Sequence, residues 1–516
     1  MIVKYIIGSD AGTSSVRVLI FNEKGKVVSE GRKEYSLIRP NPGWVEQKAE
    51  WWWDAFYYSC KDAINKSKID PSDIIAVSIT HQRQSFVPLD KRLRPIRNAI
   101  LWNDTRCSEE AEFAANKIGS DEIYSLTGCP PGTMTIYKTL WLKNNEPEIY
   151  NNTYKFLLVQ DYLIYKLTGN ITACSSSVSL AGALDINNIT SYGELLFKEL
   201  GLSVDKWPDK ILPGGSIAGK VNEEAAILTG IIEGTPIITS GGDQPCGSLG
   251  VGMTRPGMLA VNGGTSCTAE TMTIEPVISK NKNYFIEVGP LGGFLPESAI
   301  YAGVSALMKW YRNNFGSEEI EEAKIKNRNI WETIYGKAEE APIGNIGLIL
   351  IPYQNGACGP YWDLRARGVM AGFLENHGKP HIIRAIIEGQ AYETRKITEF
   401  MTEDTGIPIK EIRMYGGSAV SDIWNQTFAD CMGVKVATTD TVEATSLGAA
   451  ICAAVGIGLY KDSQEAVNNM VRIDKEYLPD KANYETYSRY YNDVYKNFYD
   501  KIQENMHSAS VISNYP

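Results

Sequence analysis

The sequence contains few of the residues from which metal centres and disulfide frameworks are built. It has only four histidines, so a metal site based on imidazole ligands is not expected. Its nine cysteines are scattered singly, with no Cys-x-x-Cys pair and no histidine at ligand spacing. This spacing argues against both a zinc site and a disulfide framework.

Long apolar runs and an excess of basic residues are missing as well. No apolar run reaches membrane-spanning length, so we expect no membrane partner. The net charge of −10 argues against nucleic-acid binding, which needs a basic surface. A nucleotide substrate is compatible with this charge, because bound Mg²⁺ offsets phosphate charge locally. The chain starts directly with a strand pattern and shows no signal peptide, so we expect a cytoplasmic protein.

Length and composition predict a two-domain α/β protein. The chain has 516 residues, of which 43% are hydrophobic and 22% charged, and this length exceeds what one hydrophobic core usually supports. It contains no low-complexity linker and no solenoid repeat. We place the boundary near residues 251–256, which gives domains of residues 1–252 and 253–516.

The most informative segment is a glycine-rich turn around Asp243. The apolar run Pro236–Ile238 predicts a strand, and the glycines that follow carry the Asp243 carboxylate to the end of that strand. Glycines let a ligand approach the main chain, and a carboxylate held there can accept a proton from a substrate hydroxyl. Taken alone, the segment also fits an aspartate that caps the next helix.

A second informative feature is an internal sequence repeat. Tyr5–Phe21 and Gly257–Thr271 both read as a strand, a tight turn with the sequence Gly-Thr-Ser, and a second strand. Such a turn presents backbone N–H groups and hydroxyls that suit phosphate oxygens. One turn of this kind is usually only a hairpin, but two, each opening one half of the chain, predict a duplicated domain that grips a polyphosphate from both sides. Neither turn matches the Walker lysine loop or the dinucleotide glycine fingerprint.

Two predicted strands of the N-terminal half lead into polar segments. Ile74–Ile79 runs into Thr80–Ser85, and Ala99–Trp102 runs in the same way into Asn103–Arg106. Open α/β sheets bind ligands at the carboxyl ends of their strands. We therefore expect both polar segments to lie beside a ligand.

Periodicity predicts the remaining elements. They are a β-meander over residues 1–38, a helix from Trp51 to about Ser67, strands over Ile346–Pro352 and Ile412–Tyr415, and helices over Ile382–Met401, Asp422–Met432 and Ala444–Val455. The tail places aromatic residues at three- and four-residue steps, which predicts a helix docked on the core rather than a ligand platform. These are Tyr484, Tyr487, Tyr491, Tyr495 and Phe498.

Together these segments resemble the FGGY carbohydrate kinase family of the actin-like, hexokinase-like ATPase superfamily. The resemblance runs nearly from end to end, and several motifs in the correct order make a chance match improbable. The motifs are Asp10–Ser14, Gly43–Gln47, Asn98–Arg106, Lys138–Leu142, Gly241–Asp243, Gly263–Ser266 and Tyr415–Ser418.

The resemblance implies two ribonuclease-H-like domains, with ATP on the C-terminal half of the cleft between them and sugar on the N-terminal half. It implies that Asp243 is the general base and that Asp10 holds Mg²⁺ through water. The implied nucleotide and phosphate ligands are Asp10, Gly12, Thr13, Ser14, Gly263, Gly264, Thr265, Gly416, Gly417 and Asn425.

The sugar ligands that we expect lie mainly in the two polar segments, because His, Gln and Arg side chains offer hydrogen bonds to hydroxyls. They are His81, Gln82, Arg83, Gln84, Trp102, Asp104, Asp243 and Gln244. His81 fits a core or helix-capping residue equally well, Trp102 fits a core residue, and Asp104 could instead pair with Arg106. Arg83 is the stronger candidate, because a charged residue at a buried strand end generally needs a partner.

Substrate choice within the family rests on departures from known patterns. Glycerol kinases typically show an acid where this chain has Gln84 and a tyrosine where it has Thr133. The loop motif of xylulose kinases is absent too, but residues 93–107 and 247–253 are closer to the xylulose kinase pattern. We therefore expect a pentulose or related ketose, with glycerol or another short polyol as the alternative.

Two non-enzymatic alternatives fit the sequence less well. A non-catalytic actin-like ATP-binding scaffold predicts neither an acid at Asp243 nor a polar loop at Thr80–Ser85, and both are present. A sugar-sensing regulator would normally add a DNA-binding segment, and neither end of the sequence shows a helix-turn-helix pattern. The expected partners are ATP and a small sugar or polyol, and the sequence is compatible with a homodimer.

Overall fold

The structure is a computed structural model that describes residues 4–441 and 443–513. Its strands, in chain order, are β1 (Tyr5–Ala11), β2 (Ser15–Asn22), β3 (Val27–Glu34), β4 (Glu46–Gln47), β5 (Ile74–His81), β6 (Phe86–Leu89), β7 (Ala99–Ile100), β8 (Lys155–Leu158), β9 (Ala173–Cys174), β10 (Leu184–Asp185), β11 (Asn188–Tyr192), β12 (Ile211–Leu212), β13 (Ile217–Lys220), β14 (Pro236–Ile238), β15 (Met258–Gly263), β16 (Cys267–Thr271), β17 (Phe285–Val288), β18 (Phe294–Ile300), β19 (Ile349–Ile351), β20 (Val369–Ala371), β21 (Glu411–Tyr415), β22 (Lys435–Thr439) and β23 (Ile473–Tyr477).

The helices connect and cover these strands. In chain order they are α1 (Ala49–Ser67), α2 (Ser108–Ile118), α3 (Ser120–Thr127), α4 (Thr135–Asn145), α5 (Pro147–Asn152), α6 (Val159–Thr168), α7 (Ser175–Ser179), α8 (Glu194–Leu200), α9 (Glu223–Thr229), α10 (Asp243–Gly250), α11 (Val304–Phe315), α12 (Ser317–Ile325), α13 (Ile330–Lys337), α14 (Lys379–Thr405), α15 (Asp422–Met432), α16 (Ala444–Gly456), α17 (Ser463–Met470), α18 (Lys481–Tyr490) and α19 (Phe498–Ile512). None of the helices in the described part of the chain has both the length and the apolar character that a membrane span needs.

Each half of the chain builds one large mixed sheet. The N-terminal sheet has six strands in the order β13-β14-β5-β1-β2-β3, and the C-terminal sheet has seven in the order β17-β18-β16-β15-β21-β22-β23. β1 pairs antiparallel with β2 and parallel with β5, and β15 repeats this arrangement with β16 and β21. The predicted meander and both predicted hairpins are therefore confirmed, and so is the α/β class.

The predicted strand Ala99–Trp102 is wrong in its extent and in its sheet. Only Ala99–Ile100 is a strand, and it belongs to a separate four-stranded sheet with the order β4-β7-β6-β8, in which neighbours run antiparallel. Asn103–Arg106 therefore does not follow a parallel strand end. The segment still lies beside the Thr80–Ser85 loop, because the Trp102 backbone N–H donates to Ser85 Oγ at 3.0 Å.

The other sequence predictions differ from the structure mainly at their ends. The strand predicted over Ile346–Pro352 is shortened to β19, because Ile346 has a φ of 51° inside a short 3₁₀ turn. The helix predicted over Ile382–Met401 extends at both ends to become α14. The helix predicted over Asp422–Met432 matches α15.

Helix α16 belongs to the C-terminal half of the sequence but packs on the N-terminal sheet. Leu447 and Ala450 share one buried cluster with Ile6 of β1 and Leu19 of β2. A Cβ added to Gly448 would lie 1.8 Å from the carbonyl oxygen of Cys246 in α10. The backbones of α10 and α16 thus touch, which only a small-residue helix allows. The boundary predicted near residues 251–256 stays a prediction, since this helix crosses it in space.

The aromatic tail docks on the C-terminal core, as predicted. Tyr487, Tyr491 and Tyr495 are each at most 1% exposed, and their rings lie 5.1–6.3 Å from the ring of Tyr392 in α14. Their hydroxyls find buried partners, for example Tyr495 Oη donating to Glu393 at 2.9 Å. The stripe is structural and forms part of the core.

Candidate active site

The first predicted phosphate turn joins β1 to β2. Gly12 N–H donates to the Ser15 carbonyl at 3.0 Å, which closes the turn, and Thr13 and Ser14 are at least partly exposed. Thr13 Oγ1 accepts a hydrogen bond from the indole N–H of Trp102 at 3.0 Å. The turn is therefore ordered and leaves polar groups accessible, as a phosphate-binding turn requires.

Asp10 lies at the end of β1, beside this turn. Its Oδ1 is buried and has no hydrogen-bond partner within the described protein. Burial, reinforced by the nearby Asp243 carboxylate, raises the pKa of Asp10 to about 7, although Arg17 opposes the shift. A buried carboxylate oxygen without a donor is costly, and a cation or its bound water would satisfy it. The donor chemistry of Asp10 therefore fits a divalent metal ion.

Asp243 is the first residue of α10, and Gly242 occupies the N-cap position. The capping role that the sequence left open is therefore not the one observed. Its side chain is 31% exposed, and Gly242 bridges to His81 at the end of β5. Asp10 and Asp243 thus stand at the carboxyl ends of β1 and β14, the two strands that flank β5 in the N-terminal sheet. Open α/β sheets bind ligands at this end of their strands. Burial raises the pKa of Asp243, and the charge of Arg83 partly offsets this effect.

The second predicted phosphate turn joins β15 to β16 and is tied to the Asp243 segment. Gln244 Oε1 accepts hydrogen bonds from Asn262 Nδ2 at 3.0 Å and Thr268 Oγ1 at 2.9 Å, one residue from each strand of this hairpin. Tyr415 Oη donates to the same oxygen at 3.0 Å. Gln244 was predicted to bind sugar, but its Oε1 already accepts these three hydrogen bonds from the C-terminal half. Asp243 therefore lies between Asp10 on one side and the second hairpin on the other.

A cavity of about 700 Å³ opens next to the second hairpin, a volume typical of small-molecule sites. The predicted nucleotide residues Gly264, Thr265 and Gly417 line it. The other lining residues were not predicted from the sequence: Ser305, Met308, Lys309, Asn329, Trp331, Glu332, Tyr335, Gly336, Glu339, Ser418, Val420, Ser421, Asp422 and Ile423.

Three other residues predicted to bind the nucleotide do not line this cavity but contact the segments around it. Gly263 is buried, and its carbonyl accepts the Ser418 N–H at 3.0 Å. Gly416 has a φ of +84°, and a Cβ there would lie 2.3 Å from Asn262 Oδ1, so only glycine fits. Asn425 is fully buried, and its amide donates to the Ala419 carbonyl at 2.8 Å. Asn425 therefore holds the chain around the cavity in place.

His81 is a core residue, and its predicted contact with sugar is corrected. The side chain is 0% exposed, and its two ring nitrogens lie 2.8 Å from the Gln82 carbonyl and 2.9 Å from Ser177 Oγ. Burial lowers the pKa of His81 to about 4, so the ring is neutral at pH 7. Both nitrogens already have partners, which leaves none for a sugar hydroxyl.

Gln82 is also part of the core beneath the site. It is 1% exposed, its Nε2 donates to Gln47 at 3.2 Å and its Oε1 accepts from Ser85 at 3.2 Å. Gln84 is 9% exposed, and its Nε2 donates to the sulfur of Met134 at 3.1 Å. A sugar contact by Gln84 stays a prediction, whereas Gln82 has both ends of its amide engaged.

Asp104 forms the ion pair that the sequence left as an alternative. Its Oδ1 accepts from the backbone and Nε of Arg106 at 3.0 and 2.8 Å, and its Oδ2 accepts from Arg106 Nη2 at 2.7 Å and the Val45 N–H at 2.6 Å. A carboxylate offers about four acceptor positions, and all are used. The prediction that Asp104 binds sugar is therefore corrected. Trp102, by contrast, is 43% exposed beside Thr13.

Arg83 carries the ionic contacts of the Thr80–Ser85 loop. Its Nε lies 3.3 Å from Asp243 Oδ1. Its Nη1 and Nη2 donate to Glu297 at 2.6 and 3.0 Å, and Nη1 also donates to Glu287. Both glutamates come from the C-terminal sheet, more than 200 residues away in sequence. No local pattern marks them, so they were not predictable from the sequence.

Models of known families match both halves of the chain. Residues 5–250 match the N-terminal domain of the FGGY family of carbohydrate kinases, and residues 259–457 match its C-terminal domain. The chain belongs to the FGGY family of carbohydrate kinases. As an FGGY kinase it is an ATP-dependent enzyme that acts on a sugar or polyol, and FGGY kinases generally need a divalent metal. The scaffold and sensor alternatives are thereby set aside.

Individual relatives of this FGGY kinase differ in substrate. The chain is 29% identical to the xylulose kinase of Bacillus subtilis, over 97% of this chain and 98% of that protein. It is 28% identical to the glycerol kinase of Pseudarthrobacter chlorophenolicus, over 98% and 99%. The crystal structure of gluconate kinase from Lactobacillus acidophilus superimposes with a TM-score of 0.88 at 26% identity, over 97% and 98%. The comparisons therefore agree on the two-domain kinase fold and leave the substrate open.

Proposed function

We propose that the protein transfers the γ-phosphate of ATP to a hydroxyl of a neutral, pentulose-type ketose. The observation that carries the proposal is the position of Asp243. Its partly exposed carboxylate starts α10 beside Asp10, and its neighbour Gln244 is bonded to the second hairpin. A base at this point can reach a sugar hydroxyl on one side while phosphate is held on the other.

In this proposal, Asp243 accepts the proton of the attacking hydroxyl, and its raised pKa makes it a stronger base than a solvated aspartate. The hydroxyls and amides of Thr13 and Thr265 hold the phosphates from opposite sides. Asp10 holds Mg²⁺ through water, and the ion supplies charge neutralisation at the phosphates. Because phosphoryl transfer passes through a loose transition state, positioning contributes more than the base itself.

The cavity beside the second hairpin supports the assignment of the nucleoside to the C-terminal half. Its walls combine the Trp331 and Tyr335 rings with polar groups such as Ser418. Aromatic faces suit a purine, and the small Gly417 leaves room for close approach. In this proposal the nucleoside occupies the cavity and its phosphates point towards Thr265.

Charge around Asp243 favours a neutral substrate over a sugar acid such as gluconate. Arg83, the cation beside Asp243, is already shared among Asp243, Glu287 and Glu297. A substrate carboxylate would therefore meet Asp243 and Asp10 without a free guanidinium to balance it, and like charges at short range are costly. Glycerol remains the second candidate, because glycerol kinases are among the relatives that match the whole chain.

The experiment is sugar-dependent ADP release measured with D-xylulose, D-ribulose, glycerol and D-gluconate. We expect kcat/KM for one of the pentuloses to exceed that for gluconate by about 10-fold or more. A preference for glycerol would establish the second candidate. A preference for gluconate would contradict the charge argument, and no release above background with any substrate would contradict the proposed reaction.

Replacing Arg83 with alanine should weaken sugar binding more than ATP binding. Among the described residues, one N–H of Nη2 has no partner and is available to a sugar hydroxyl. A hydrogen bond to a charged group contributes about 1.5–3 kcal/mol. We expect the KM for sugar to rise about 10-fold or more while the KM for ATP stays within about 3-fold. Steady-state kinetics with each substrate varied in turn measures both, and an equal loss for both substrates would show a folding defect instead.

A further inference from the structure

Arg83, Glu287 and Glu297 form an ionic contact between the two halves of the molecule, which we call the carboxylate clamp. Arg83 follows β5 of the N-terminal sheet, whereas Glu287 lies on β17 and Glu297 on β18 of the C-terminal sheet. In the register of these strands Glu297 stands opposite Phe285 and Glu287 opposite Leu295. The two glutamates are therefore diagonal neighbours on one face, where they can share one guanidinium.

The clamp is buried. The side chains of Glu287 and Glu297 are 0% and 4% exposed, and that of Arg83 is 13% exposed. Burial raises the pKa of Glu287 well above its usual value. Burial acts on Glu297 in the same direction, but the charge and hydrogen bonds of Arg83 outweigh it and hold the pKa at about 2. Glu297, which Arg83 contacts through both Nη1 and Nη2, is therefore its main partner, and Glu287 is a second acceptor on Nη1.

Most of the hydrogen-bonding capacity of Arg83 is used inside the clamp. Of its five N–H donors, the two on Nη1 go to Glu287 and Glu297, and one on Nη2 goes to Glu297. Nε faces Asp243 at 3.3 Å. The bidentate contact with Glu297 fixes the plane of the guanidinium, and that plane sets where Nε meets the Asp243 carboxylate.

We propose that Glu297 and Glu287 are positioning residues that orient the base Asp243 through Arg83. This inference rests on the proposed function, in which Asp243 is the base. Because the glutamates belong to the C-terminal half and Asp243 follows the N-terminal sheet, the base is oriented only while the two halves are in contact. The carboxylate clamp thus makes the orientation of the Asp243 carboxylate depend on the relative position of the two halves.

A third buried glutamate, Glu270, lies close to the clamp, and the carboxylates of Glu270, Glu287 and Glu297 lie within 4.8 Å of one another. A metal ion there would have to displace Arg83 from Glu287 and Glu297. Glu270 instead accepts a hydrogen bond from Ser248 of α10. This contact ties the same region to the helix that Asp243 begins, so Glu270 supports α10 rather than forming a metal site.

The test compares Glu297→Gln with Glu388→Gln. Glu388 is a matched control: its side chain is 3% exposed, close to the 4% of Glu297, and it pairs with a buried arginine, Arg384, at 2.9 Å, in helix α14. We expect Glu297→Gln to lower kcat about 10-fold or more, because misplacing a reacting group by about 1 Å can cost up to about 10²-fold. The KM for ATP should stay within about 3-fold, and Glu297→Asp should recover part of the loss.

Equal changes in Glu297→Gln and Glu388→Gln, or an unchanged kcat in Glu297→Gln, would overturn the proposal. Hydrogen–deuterium exchange of the unliganded protein provides a readout that does not depend on activity. Glu297→Gln should speed exchange at the amides of residues 82–85 and 243–247, and Glu388→Gln should not. Unaltered exchange at these amides would also overturn the clamp, even if no tested sugar were phosphorylated by the wild-type protein.

If Glu297→Gln does not fold, Glu287→Gln replaces it in both measurements. This change replaces a carboxylate on Arg83 Nη1 with a neutral amide oxygen, so it should lower kcat about 3-fold or more and speed exchange at residues 243–247, whereas Glu388→Gln should do neither. A kcat and an exchange pattern in Glu287→Gln that match those of Glu388→Gln would overturn the proposal.

Discussion

Replacing Asp243 with asparagine should lower kcat by about 10²–10⁴-fold while ATP still binds. Asparagine keeps the size of the side chain at the start of α10 but cannot accept the hydroxyl proton. The cavity beside Thr265, where we propose that the nucleoside binds, does not include Asp243 among its lining residues, so nucleotide affinity should change little. Steady-state kinetics and ATP titration by calorimetry measure the two quantities separately.

A second aspartate at a helix start provides the control for this substitution. Asp462 caps α17, and its carboxylate accepts the Glu465 N–H at 2.8 Å. Asparagine is as good a cap as aspartate, so Asp462→Asn should leave kcat unchanged. Near-normal turnover in Asp243→Asn would remove Asp243 as the base.

Replacing Asp10 with asparagine should lower kcat by about 10²-fold and weaken the response to Mg²⁺. Asp10 Oδ1 is buried without a hydrogen-bond donor, and its negative charge is the feature that suits a metal-bound water. Residues that hydrogen-bond to a ligand of the metal, such as a bound water, typically contribute about 10–100-fold in metal affinity or activity. The measurement is activity as a function of Mg²⁺ concentration at saturating ATP and sugar.

Asp243→Asn is the comparison for this experiment as well. It should reduce kcat without shifting the Mg²⁺ concentration needed for half-maximal activity, whereas Asp10→Asn should shift that concentration upward. If the Mg²⁺ dependence of Asp10→Asn matched that of the wild-type protein, Asp10 would not be the residue that holds the ion.

The parts of the site that were predictable from the sequence depend on short-range patterns. Each hairpin is an apolar strand, a Gly-Thr-Ser turn and a second strand within about 17 consecutive residues, and the structure contains both. The glycine-rich segment before α10 located Asp243 at a strand end for the same reason. Local backbone preferences and alternation decide such features, so no knowledge of distant contacts is needed.

The parts that were not predictable depend on contacts between distant residues. Glu287 and Glu297 meet Arg83 only because two sheets come together, and the packing of α16 on β1 joins residues more than 400 positions apart. His81 and Asp104 were instead predicted to bind sugar although they are not free to do so. Both are polar residues near a site, but both have their hydrogen-bonding groups filled by protein partners. Residue type alone does not reveal which polar groups are already satisfied.

A structure of the protein with Mg²⁺, a non-hydrolysable ATP analogue and a pentulose tests the central claim most directly. We expect the triphosphate to lie between the turns of Thr13 and Thr265, with a sugar hydroxyl within about 3 Å of the Asp243 carboxylate. A triphosphate bound away from either turn, or a sugar with no hydroxyl near Asp243, would contradict it.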